Sequence, residues 1–77
     1  MNLHDRVNLD AALASAAYLL ERARNETQRA WQIMIENGDY RFHAEMQDAD
    51  AALSDARVTL DGVQREIKRE EGQCIKL

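Results

Sequence analysis

Glu36-Asn37-Gly38-Asp39-Tyr40 is the strongest interruption in a 77-residue chain that has three glycines and no proline. Gly38 suits the left-handed backbone position just past a helix C-terminus, because it lacks the Cβ that makes that conformation costly. Asp39 suits the N-cap of a second helix, where a carboxylate accepts a backbone N–H. A connection this short lays the two helices side by side and antiparallel. The stretch therefore predicts an all-α fold, an antiparallel two-helix hairpin with coiled-coil-like packing, in a single domain over residues 1–77. Helix 1 is expected from about residue 3 to 36, the turn over 37–39 and helix 2 from about 40 to 71. Gly72 is expected to stop helix 2 and leave a tail over 72–77.

Working outward from the turn, apolar residues recur in steps of four and three on both sides. The first seam reads Leu9, Leu13, Ala16, Leu20, Ala23, Thr27, Ala30, Met34, and the second Phe42, Met46, Ala49, Leu53, Ala56, Leu60, Val63, Ile67. Thr27 is the one polar member. The seams mirror each other through Gly38, so folding there sets Ala30 against Met46, Ala23 against Leu53, Leu20 against Ala56 and Ala16 against Leu60. Large residues meet small ones, which allows close approach without voids. A mean repeat of 3.5 residues predicts a left-handed crossing.

Composition narrows the class. Hydrophobic residues at 45% and charged residues at 31% make the chain too apolar for a disordered tail and too charged for a membrane protein. No apolar run nears the ~20 residues of a spanning helix. The start, Met-Asn-Leu-His-Asp-Arg, lacks the basic opening and apolar run of a signal peptide, so a cytoplasmic location is expected. One cysteine excludes an internal disulfide framework and a Cys-rich zinc site. A net charge of −4 argues against direct nucleic-acid binding through phosphate neutralisation.

The hairpin leaves apolar surface over. Beside its seam helix 1 carries Ala12, Leu19 and Ile33 on one flank and Ala17 and Trp31 on the other, with Tyr18 and Ile35 further round. The flanks of helix 2 are mainly polar. Two helices make a thin core, and chains this small depend on a metal, a disulfide or oligomerisation. The expected arrangement is a homodimer, a two-fold four-helix bundle with the two first helices at its centre. Tyr18, Leu19, Trp31 and Ile33 are the candidate partner or dimer interface, Trp31 standing out because tryptophan dominates many binding energies. Gly62 is expected on the outer face of helix 2.

Groups for catalysis are scattered. His4 and His43 fall near opposite ends of the hairpin, and no ligand cluster for a metal or cofactor surrounds either. Cys74 lies near the C-terminus without a nearby histidine, as an exposed thiol prone to adventitious intermolecular disulfides. The closing Cys74-Ile75-Lys76-Leu77 fits a prenylation box only formally, since Lys76 stands where an aliphatic residue belongs. No phosphate-binding glycine loop, nucleophile elbow or His-Glu-x-x-His occurs. The chain reads as no enzyme and as having no small-molecule substrate.

Acids crowd the start of helix 2, where they complement the helix dipole. Glu45, Asp48, Asp50 and Asp55 form a candidate acidic face, whose functional reading is an imitation of nucleic-acid phosphates. Arg22, Arg24 and Arg29, with Glu21 and Glu26, read as a solvated mixed-charge face of helix 1. In size, acidity and lack of catalytic groups the chain resembles small phage-encoded inhibitors of host proteins, such as anti-CRISPR proteins and antiactivators. That likeness rests on general character and covers no particular residues. The expected function is a non-enzymatic, self-associating protein-binding module that regulates or blocks a larger host protein. The alternative is a structural coiled-coil adaptor or assembly component, and a third reading is the acidic nucleic-acid mimic.

Overall fold

The computed structural model describes residues 1–75, with side chains through Glu70. Two helices, α1 (Leu3–Glu36) and α2 (His43–Ile75), pack along each other as an antiparallel hairpin. The rod measures 61 × 18 × 14 Å, and its radius of gyration of 17.7 Å exceeds the ~12 Å of a compact domain of this length.

Helix α1 begins where Asn2 accepts the Asp5 N–H on its side-chain oxygen at 2.8 Å, an N-cap, with Asp5 itself complementing the dipole in the first turn. It ends as the turn sequence requires. Gly38 has φ +70°, its N–H donates to the Ile35 carbonyl at 3.0 Å, and the Asp39 N–H donates to the Met34 carbonyl at 2.8 Å. These two bonds form a Schellman motif, which satisfies carbonyls that the helix end would otherwise orphan.

Asp39 does not cap α2, and the helix starts at His43 rather than at 40. The Asp39 carboxylate instead accepts the Arg41 N–H at 3.2 Å and the Arg41 guanidinium at 3.0 Å. An aspartate that bonds two residues ahead closes a turn of its own and delays the helix. Phe42 sits outside α2, its carbonyl accepting the Met46 N–H at 2.9 Å and its ring 5.2 Å from the Arg41 guanidinium carbon. At the far end α2 passes through Gly72 to Ile75, so that glycine is no stop. A glycine inside a long helix costs about 1 kcal/mol, which does not by itself end propagation.

The register is that of a fold at Gly38. Asp50 is held by Arg24 and Gln28, whose midpoint mirrors position 50 through the glycine. Arg57 reaches Ala17 and Glu21, whose midpoint mirrors position 57.

The seam itself differs in its second half. Seven-residue rows stay half-buried on both helices (Leu13, Leu20, Thr27, Met34; Met46, Leu53, Leu60, Ile67), and eleven-residue rows join them: Leu9, Leu20, Trp31; Leu13, Arg24, Ile35; and on α2 Met46, Arg57; Leu53, Gln64; Ala56, Ile67. Arg24 and Trp31 thus face α2, while Ala23 and Ala30 turn outward. A seven-residue pattern drifts about 20° per heptad on a straight helix, and over three heptads the drift exchanges neighbouring residues. Ala17, 6% exposed, is the only buried hydrophobic residue among those described.

Candidate functional site

The hairpin has two unlike sides. Counting about 100° per residue from the inward positions Leu13, Leu20 and Thr27 puts Glu21, Arg24 and Gln28 to one side of α1. Ala12, Leu19, Ala23, Ala30 and Ile33 fall to the other. On α2, Asp50, Arg57 and Asp61 lie to one side of Met46, Leu53 and Leu60, and Glu45, Ala52, Thr59, Val63 and Glu66 to the other. Ion pairs between Arg24 and Asp50 and between Arg57 and Glu21 bring the polar sides together. The other sides, apolar on α1 apart from Glu26 and mixed on α2 with Glu45 and Glu66, share the opposite face, the less polar of the two.

The polar side is a connected network. Arg24 donates to both Asp50 oxygens, at 3.0 and 3.5 Å, and the Gln28 amide donates to the nearer one at 3.0 Å. These hydrogen bonds, with the Arg24 one foremost, hold the Asp50 carboxyl below the usual carboxylate range. Asp50 reciprocally raises the Arg24 pKa. Arg57 spans the groove with three bonds at 3.2 Å, to the Ala17 carbonyl, Glu21 and Asp61. Arg6 also crosses, donating to the Ile67 carbonyl at 3.1 Å. In the turn, hydrogen bonds from Arg41 lower the Asp39 pKa. Sequence reading missed these crossing arginines and placed Arg24 in solvent. The signal was available in the eleven-residue spacing of Leu13, Arg24 and Ile35.

Trp31 faces α2 and meets the His43 ring edge-on, with centroids 5.1 Å apart and planes at 65°. The most conspicuous candidate for an outside partner thus packs within the hairpin. Its Nε1 is shielded and has no hydrogen-bond partner. His43 makes no contact with the Asp39 carboxylate, which Arg41 occupies. His4 sits near the other end, where its ring meets Asn8 at 3.3 Å. Among the described residues no group of His, Cys, Asp and Glu is arranged to hold a metal ion, and no helix is long and apolar enough to cross a membrane. The Cys74 side chain lies outside the described residues.

Tyr18, Leu19 and Ile33 remain exposed, at 63%, 57% and 50%. Leu19 and Ile33 belong to the apolar side. Tyr18 lies on the back of α1, where Val7 is also exposed. The acidic face divides, because Asp50 is drawn into the network while Glu45, Asp48 and Asp55 stay in solvent. Gly62 faces open space, with nothing within 4 Å of an added Cβ.

The chain exposes 6101 Å². A compact monomer of 8.8 kDa would expose about 4,800 Å². The surplus, about 1,300 Å², exceeds the ~800 Å² that each partner contributes to an ordinary protein interface. No protein-family model, curated protein or solved structure matches the chain at a significant level.

Proposed function

We propose that the chain is a non-enzymatic protein-binding module, a self-associating helical hairpin that regulates or blocks a larger protein. The observation that carries this reading is the set of exposed large hydrophobic residues, Leu19, Ile33 and Tyr18 among them, on a rod whose described residues include one buried hydrophobic residue, Ala17. Large exposed patches on small proteins mark association surfaces. The back of α1, with Tyr18 and Val7, lies away from the apolar side, so a foreign protein and a second copy occupy different surfaces. The phage-inhibitor class is one setting in which such a module acts.

Affinity capture from a bacterial lysate, with Tyr18→Asp/Val7→Asp as the comparison, tests the regulatory role. A regulator retains one stoichiometric larger protein, which the double variant loses while keeping its helicity. Retention of the chain itself alone would replace this reading with that of a structural assembly component.

A further inference from the structure

The apolar side carries its own charge pattern. At its outer edges stand Arg22 and Arg29 on α1 and Asp48 and Asp55 on α2, in each pair seven residues apart. Within the described residues Arg22, Asp48 and Asp55 form no ion pair, and Arg29 reaches only Glu26, at 3.9 Å with both side chains largely exposed. Through the mirror at Gly38, Arg22 is level with residue 54 and Arg29 with residue 47. Each arginine therefore stands one residue from the height of an unpaired aspartate, yet on the far helix of its own hairpin and pointing away from it.

We infer that a second copy of this chain covers the apolar side, with the two hairpins parallel, turns together, and each α1 lying over the other copy's α2. This deepens the self-association reading on which it rests. A two-fold axis along the rod brings Arg22 beside Asp55 of the second copy and Arg29 beside Asp48 of the second copy, and does so twice by symmetry. The same operation sets Leu19 one residue from the height of Ala56 and Ala12 one residue from that of Val63, large against small. Stacking α1 on α1 instead would turn arginine edges toward arginine edges, which is repulsive. The occupant is self-complementary in area as well. The surplus surface of one chain is enough for its half of an ordinary interface.

The test is sedimentation equilibrium at micromolar concentrations, with helicity followed by circular dichroism. Three samples are compared: the unaltered chain, Arg22→Glu/Arg29→Glu, and Asp48→Arg/Asp55→Arg. Expected are a dimer for the unaltered chain, dissociation constants raised about tenfold or more for each variant alone, and recovery when the two variants are mixed, because only the mixed dimer has every edge complementary. If the variants alone dimerise as tightly as the unaltered chain, the parallel arrangement is overturned while self-association stands. A folded monomer of the unaltered chain overturns both.

Discussion

The same substitution should act in opposite directions at two glycines of this chain. Gly38 holds φ +70°, a conformation costing other residues about 1–2 kcal/mol. Gly38→Ala should lower unfolding free energy by that amount, although its Cβ would touch nothing within 4 Å. Gly62 has the same open space but helical backbone, so Gly62→Ala should raise stability by up to about 1 kcal/mol. Urea unfolding of the pair should give shifts of opposite sign, and equal signs would refute the backbone argument. The role of Gly38 was legible from its place between two apolar patterns. That of Asp39 was not, because a cap and an Asx turn draw on the same residue type, and the Arg41 side chain decides between them.

Between the helices, close approach is concentrated at Ala17 and at the arginines that reach across. Ala17→Leu should cost about 1–3 kcal/mol by overpacking, whereas Ala11→Leu, on the exposed back of α1, should be nearly neutral in thermal unfolding. Acid should loosen the contact between the helices through Asp50 and the turn through Asp39. The carboxyls of Asp50 and Asp39 lie below their ordinary range in the folded chain. Their stabilisation is therefore complete above the unfolded value of about 3.9 and is lost as pH falls through the lower folded values. Melting temperatures measured from pH 6 down to pH 2 should hold and then drop below about pH 4, with a shallower drop in Asp50→Asn. A flat profile across that window would show that the Arg24–Asp50 pair contributes nothing. Sequence reading identified most of the inward positions of both helices, slipped by one residue at Arg24 and Trp31, and placed the exposed Phe42 and Val63 inward. Alanine is apolar enough to satisfy a seam without belonging to it, so Ala23 and Ala30 concealed the drift.

For the whole molecule, a rod 61 Å long cannot enclose a core, and its stability should be linked to association. Mass action makes the melting temperature of a self-associating chain rise with protein concentration. Calorimetry over a hundredfold range of concentration should show that rise, and a constant midpoint would indicate a hairpin that stands alone.

The sequence by itself determined the all-α hairpin, its hinge at Gly38 and its register, because turn chemistry and helical periodicity are local and repeat along the chain. Only the tertiary structure decided which neighbour faces inward over the distal half of α1. That choice depends on accumulated helical phase and on partners far apart in sequence, such as Arg24 with Asp50 and Trp31 with His43. For the same reason it alone separated a polar side from an apolar one. A side exists only once two helices lie together and their charged residues have found each other.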